Sequence, residues 1–370
     1  MINYCQGLVQ QITRRFTGSS EVKVITAAGA VRAINYDFLT GDLREGDRVL
    51  LNTTAVDLGL GSGSYHFVVT NLDRPPLTSD KKANRSQGHI MKLRYTPLQF
   101  SVLSMEEENS PYHRLFHEFE SLEGMPVLIG ELHSMLLPAI FNLKSVNPCL
   151  RVAYIMTDGG ALPANFSENI AFLKKKKLLD GVITFGQAFG GDYEAVNIYT
   201  ALIGARLVLN ADLAMVTMGP GITGTGTKYG FSGIEQGYII DAVNTLKGRP
   251  IFIPRISFAD QRNRHYGLSH HSITILEEIA KTPAEVVLPK LSREKHAYIR
   301  EQISKHRLEL KHKIVIVQEL EKIYENILSF QVPLSTMGRG LEQDREFFVT
   351  AGAAGYYCAA HFQTQKKKET

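Results

Sequence analysis

From residue 125 onward the chain alternates between short unbroken apolar runs and longer stretches of helical period. The runs fall at 125–129, 151–156, 181–185, 213–218 and 250–254, with two further candidates at 286–288 and 314–317. Between them, 166–177, 193–206, 234–246 and 271–280 read as helices. A strand exposed on one face alternates polar and apolar residues, whereas an unbroken apolar run suits a strand covered on both. Helices between such strands make parallel crossovers. The expected fold class is therefore α/β, a mainly parallel, Rossmann-like sheet in three layers.

The chain before this region reads differently. Short runs at 7–12, 21–26 and 32–36 are separated by turn residues, and Gly46-Asp47 introduces another run at 48–51 before a strand at 65–70. This spacing predicts a small antiparallel β-barrel-like domain. The polar stretch 73–87, with Pro75-Pro76 and Lys81-Lys82, reads as an exposed, mobile loop. The domain expectation is a barrel at 1–105, an α/β domain at 106–362 and a disordered basic tail at 363–370.

Composition excludes several classes. Apolar residues make up 44% and charged residues 21% of the 370, which is ordinary for a globular chain and wrong for a disordered one. Lys plus Arg is 41 against 37 Asp plus Glu, so the net charge of +4 gives no case for nucleic acid or an acidic membrane. No apolar run approaches the length of a membrane span, and residues 1–16 lack the apolar core of a signal peptide. A cytoplasmic protein is expected. The three cysteines, Cys5, Cys149 and Cys358, are too few and too scattered for a disulfide framework. Cys149 is expected to be a small buried side chain.

In open α/β sheets ligands bind beyond the carboxyl ends of the strands, so the residues after each run are the candidates. Glu131 and His133 follow the first; Thr157, Asp158, Gly159 and Gly160 the second; Gln187, Asp192, Glu194 and Asn197 the third. The fourth leads into a glycine loop containing Gly219, Gly221, Thr223, Gly224, Thr225, Gly226, Thr227 and Lys228. Glycines let backbone N–H groups approach an anion, so a phosphate or carboxylate fits. The alternative is a structural loop that lets the next helix pack closely. Residues 219–224 spell GxGxxG, a weak match to a dinucleotide site because no helix opens at the third glycine.

After the fifth run come Arg255, Asp260, Arg262, Arg264, His265, His270 and His271. Arginines clamp carboxylates and phosphates, and histidines move protons near neutral pH or bind metals. Ser269 is an expected helix N-cap, which sets His270 and His271 in the first turn. A metal site joining these histidines with Asp158, Asp192 or Glu194 stays open, although no spaced metal-binding pair such as HExxH occurs. Asp192 is also a candidate cap for a helix beginning near Tyr193. Arg339, in a polar turn at 335–341, is within possible reach of the site.

Several segments together resemble a known family. They are Asn52-Thr53-Thr54-Ala55-Val56-Asp57, 88–99, Met156-Thr157-Asp158-Gly159, Gly186-Gln187-Ala188-Phe189-Gly190-Gly191-Asp192, 218–227, Arg255-Ile256-Ser257-Phe258-Ala259-Asp260 and Ser269-His270-His271. They resemble the bacterial domain of unknown function family 3866 over nearly the whole chain. The resemblance implies a cytoplasmic bacterial protein and carries no activity, cofactor or catalytic residue.

The residues themselves point to an enzyme acting on a small anionic metabolite by hydrolysis or group transfer. The glycine loop and arginines would hold the anion, with Gln187 and Glu194 contributing. A histidine would move a proton, oriented by Asp158, Asp192 or Asp260. A ligand sensor or partner-binding protein is the rival reading, and an NAD(P)-dependent oxidoreductase a weaker one. Homodimerisation is a base-rate expectation.

Overall fold

The computed structural model describes residues 1–60, 63–74 and 88–368. Two compact units are present, one comprising Met1–Leu103 with Asn165–Ala171, the other the rest of the described chain.

In the first unit, β1 (Tyr4–Phe16), β2 (Ser19–Thr26), β3 (Gly29–Tyr36), β4 (Arg48–Asn52) and β5 (His66–Asn71) close a barrel in the order β1-β2-β3-β5-β4. The short helices α1 (Asp37–Thr40) and α2 (Thr54–Asp57) lie between strands. β1 pairs with both β2 and β4, and register shifts at Val9/Gln11 and Ile12/Arg14 bend it enough to close the ring. The β3–β5 seam is parallel and the other seams are antiparallel. Val9, Val22, Val24, Ala33, Leu43, Val49, Leu51 and Val68 fill the interior. Of the stretch expected to be a mobile loop, residues 75–87 lie outside the described residues. Asp73 and Arg74 are tied down, to Arg48 and Asp47 respectively.

A hairpin of β6 (Ile90–Lys92) and β7 (Phe100–Val102) follows, then α3 (His113–His117). The α/β unit then runs β8 (Pro126–Gly130), α4 (Leu136–Val146), β9 (Val152–Thr157), α5 (Glu168–Lys175), β10 (Gly181–Phe185), β11 (Tyr193–Ala195) and α6 (Ile198–Leu207). It continues with β12 (Leu213–Met218), α7 (Gln236–Thr245), β13 (Arg249–Ile253), the hairpin β14 (Ile256–Ser257) and β15 (Gly267–Leu268), and α8 (His270–Thr274). Last come β16 (Glu285–Pro289), α9 (Arg293–Lys305), β17 (Lys313–Val317), α10 (Leu320–Ser329), the hairpin β18 (Ser335–Thr336) and β19 (Arg339–Gly340), and α11 (Arg345–Lys368). The expected tail begins at 363, beyond which side chains lie outside the described residues.

Eight strands form one parallel sheet in the order β11-β10-β9-β12-β8-β13-β16-β17. Every residue of β8, β9 and β12 is buried, as the unbroken apolar runs require. α4, α10 and α11 pack together, as do α6 and α7. The crossover through α4 runs one way along the sheet and that through α7 the other, so right-handed connections place them on opposite faces. The fold is thus the three-layer, Rossmann-like α/β arrangement preceded by a barrel. The strand order reverses direction among β9, β12, β8 and β13, and their carboxyl ends define the switch point.

Two local expectations are corrected. Residues 193–195 form the edge strand β11, not the start of a helix. Asp192 does not cap: its carboxylate accepts from the Val182 N–H at 3.0 Å and pairs with Lys174, which holds the chain extended beside β10. α6 begins at Ile198, where Asn197 and Thr200 form a reciprocal cap. Cys149, expected to be buried, is exposed, because the turn at Asn147-Pro148 carries it outward at the end of α4. Among the described residues no helix is long and apolar enough to cross a membrane.

α11 approaches α4 very closely. A Cβ on Gly355 would stand 1.9 Å from the Ala139 carbonyl oxygen, and one on Gly352 2.6 Å from the Asn142 amide. Gly355→Ala is therefore expected to force the two helices apart and lower stability by about 1–3 kcal/mol. Urea unfolding measures this, and an unchanged midpoint would contradict the close packing.

Candidate functional site

The site grows from the end of β8. Gly130 is followed by Glu131, which has no exposed surface, and neither carboxylate oxygen accepts a hydrogen bond. Arg255 Nη1 stands 3.7 Å from one oxygen and His271 Nδ1 3.6 Å from the other.

The neighbouring strand β13 delivers Arg255, and the hairpin β14–β15 then folds the chain back. Its register, Ile256 opposite Leu268, brings the Ser269 N–H within 2.9 Å of the Arg255 carbonyl. Ser269 caps α8 as expected, its hydroxyl accepting from the His271 N–H at 3.2 Å. The cap fixes His270 and His271 in the first turn. The hairpin loop supplies His265, whose Nδ1 lies 2.8 Å from Ser269 Oγ. Ring centroids are 4.9 Å apart for His265–His270 and His265–His271, and 4.4 Å for His270–His271. His265 and His271 are buried, and His270 is half-buried.

An ion network borders the histidines. Arg262 grips Asp260 with Nε at 2.9 Å and Nη2 at 2.7 Å. Arg255 and Arg339 each approach Asp260 Oδ2 at 3.4 Å. Arg339 also donates to Asp344 at 2.9 Å, and the Ser257 hydroxyl donates to the same carboxylate. The bidentate Arg262 holds the Asp260 carboxyl well below the usual range, whereas burial raises that of Asp344. Counting Glu131, Asp260 and Asp344 against Arg255, Arg262 and Arg339, the ionised network is neutral. Burial, aided by Arg255, pushes His265 down to about 2. Burial and His271 push His270 down to about 4. At neutral pH these two imidazoles are uncharged and offer lone pairs.

The glycine loop lies on this cluster. Phe231 stacks on His271 with centroids 3.9 Å apart and planes 3° from parallel. A Cβ on Gly224 would reach within 3.8 Å of His271 Nε2, one on Gly233 within 3.3 Å of Glu131 Oε2, and one on Gly226 within 3.8 Å of the Arg264 guanidinium. Larger residues would crowd each of these contacts. The two richest stretches of the sequence therefore meet. Arg264 is exposed and makes no ion pair among the described residues.

Parts of the loop serve itself. The Thr225 N–H donates to the Gly230 carbonyl at 2.8 Å, the Thr223 N–H to Ser232 Oγ at 3.1 Å, and the Thr225 and Thr227 hydroxyls are 2.9 Å apart. Lys228 turns away to pair with Glu278. Gly219 abuts the Ala161 carbonyl, whose own N–H donates to Pro220, while Gly221 faces open space. α7 begins only at Gln236, after a tight turn at Ser232–Glu235, so the GxGxxG does not open a helix.

The remaining candidates sit in the turns after β9 and β10 and in β11. Asp158 accepts from the Gln187 N–H at 2.8 Å, against Gly186 at φ +65°. Glu194 accepts from the Gly190 N–H at 2.9 Å. With Asp192 they brace the β10–β11 edge. Sequence reasoning left two acids unassigned. Glu131 followed a buried strand alone, without a motif. Glu235 drew no reading of its own within the helical stretch 234–246, yet it faces the carboxyl end of β9, where the Thr157 hydroxyl donates to it. Burial, with some help from Asp158, pushes its carboxyl up to about 7, within the range suited to proton transfer at neutral pH. His133 is buried behind them, with Nδ1 3.1 Å from both the Tyr154 hydroxyl and the Met218 carbonyl.

Barrel, parallel sheet and polar switch point together define a Rossmann-like α/β protein with an N-terminal β-barrel unit. The chain belongs to the family of proteins of unknown function DUF3866, whose model matches residues 32–355. No curated protein matches it.

Proposed function

We propose that this protein is an enzyme that transforms a small metabolite bearing a phosphate or carboxylate, by hydrolysis or group transfer. The observation that carries the reading is the Arg264 guanidinium, without an ion pair among the described residues, lying on the glycine loop beside three clustered histidines. The buried arginines are balanced by acids, so Arg264 is available to meet an incoming anion. Glu235 is the group matched to moving a proton, and the imidazoles supply lone pairs. Asp260 acts by positioning Arg255 and Arg262. The proposal includes a cytoplasmic setting, homodimerisation, and no nucleic-acid or membrane partner.

A panel of phosphate monoesters, phosphoanhydrides and carboxylates, followed by mass spectrometry, tests it. Arg264→Ala is expected to raise KM about 10–100-fold, the loss of one charge-assisted contact. Glu235→Gln is expected to lower kcat by about 10²–10⁴ and to remove the acid limb of the pH profile. A wild-type protein inert to the whole panel, or folded variants with unchanged KM and kcat, would sink the reading.

A further inference from the structure

Among the described residues, four buried acceptor or donor atoms without hydrogen-bond partners belong to the histidine cluster and to the glutamate 3.6 Å from it. They are Glu131 Oε1 and Oε2, His271 Nδ1 and His270 Nε2. Leaving such atoms unsatisfied is costly in a buried site. His265 adds a fifth group. When it donates Nδ1–H to Ser269 Oγ, its Nε2 carries the free lone pair. One ligand nitrogen from each of the three histidines lies within 4.8 Å of the others.

We infer that His265, His270, His271 and Glu131 hold a divalent transition-metal ion, for which zinc is the best match to three imidazoles and one carboxylate. The gap between Glu131 Oε2 and His271 Nδ1 is 3.6 Å, too long for a hydrogen bond. It is close to the roughly 3.3 Å that separates two ligands on a tetrahedral ion with bonds of about 2.0–2.1 Å. The three histidine nitrogens converge within 4.8 Å, and Glu131 borders them through His271. Arg255 faces Oε1, so Oε2 is the ligating oxygen.

The surroundings are built for ligation. Ser269 sets the His265 tautomer, and the Phe231 ring fixes the plane of His271. Gly233 keeps the space over Glu131 Oε2 clear of a side chain. The ionised network around the ligands sums to zero, so a dication would leave the site positive where Arg264 awaits an anion. The ion would act there as a Lewis acid toward the anionic group or a bound water. The inference deepens the proposed function and takes its substrate class from it, but its test needs no turnover.

The full chain is stripped with a chelator, dialysed against zinc chloride and assayed for metal by elemental analysis, with affinity measured against a chromophoric chelator. One zinc per chain is expected. Cobalt(II) in its place should give the intense visible bands of a tetrahedral nitrogen–oxygen site. His271→Ala and Glu131→Gln should each weaken zinc binding by at least about 100-fold, more than the loss of an outer-shell contact. Wild-type protein that takes up no stoichiometric zinc, or cobalt bands absent from it, would overturn the assignment. So would folded variants that bind zinc as tightly as wild type. If a variant fails to fold, the wild-type cobalt spectrum decides alone. Turnover of an anion by wild-type protein that takes up no zinc would sink the metal and keep the enzyme; bound zinc with no turnover across the panel would do the reverse.

Discussion

Asp260→Ala is expected to lower the stability of the α/β unit by about 3–5 kcal/mol, the cost of stranding a buried charge. Arg255 is 2% exposed and loses one of its two acid partners. Arg262 and Arg339 lose their common acceptor at the same time. Urea unfolding at pH 7 measures the loss. A second variant isolates the cause: Arg255→Met added to Asp260→Ala removes the stranded charge and should recover most of the stability. The pH dependence is fixed by the sign of the shift. A carboxyl held below its ordinary value stabilises fully above the unfolded pKa, and that contribution is lost as pH falls through the folded value. The gap between wild type and Asp260→Ala should therefore stay constant from about pH 5 to 8 and narrow only in stronger acid. A loss under about 1 kcal/mol would mean that the network is not what holds the hairpin down.

Glu235→Gln is expected to make the protein more stable at pH 8, by an amount on the order of 3 kcal/mol, and to change little at pH 4. Here the folded carboxyl sits above its ordinary value, at about 7. Below the unfolded pKa both states are protonated and no penalty exists. As pH rises toward 7, the unfolded chain releases its proton while the folded chain keeps it, so stability falls. Above 7 both are ionised and the whole desolvation cost is present. Glutamine keeps the contact with the Thr157 hydroxyl without that cost. Thermal unfolding from pH 4 to 8 gives the curve, and parallel slopes for wild type and Glu235→Gln would refute the elevated value. A stabilising substitution that also abolishes turnover is the expected signature of a carboxyl that works in proton transfer.

Much of the fold was legible because burial on both faces leaves a direct trace. β8, β9, β10, β12 and β13 each read as an apolar run, and the turn dipeptides marked the barrel strands. β11 was not legible: Tyr193-Glu194-Ala195 is too short to show a period, and the helical pattern that follows it reads backward through it. What decides the matter is a contact ten residues back, Asp192 with the Val182 backbone, which a reading of local period does not show. Cys149 was misjudged for a similar reason, since a residue-type preference for burial says nothing about where a helix-end turn points.

The site was half legible. Ser269 showed itself as a cap, and the density of arginine and histidine between Arg255 and His271 marked a site. That the glycine loop would cover those histidines followed from the sheet order, which brings β12, β8 and β13 side by side. Glu131 carries no pattern of its own; its importance lies in having nothing to bond to, a property of three-dimensional space. Asp158, Asp192 and Glu194 looked alike in sequence, yet each accepts from a backbone N–H: Asp192 from Val182 in β10, Asp158 and Glu194 from Gln187 and Gly190 in the turn after it.

The close seat of α11 on α4 has a consequence for the order of events during synthesis. The barrel strands end at Asn71, so that unit has all its pairing partners early. α4 is made long before its cover, because the chain from Val146 to Arg345 must come first. At 5–20 residues per second the ribosome needs about 10–40 s for that interval. Throughout it, the face of α4 that carries Ala139 and Asn142 has no α11 to cover it. A nascent chain in this state is a natural client for chaperones, and translation speed, more than any single contact, would set how much of it reaches the finished sheet.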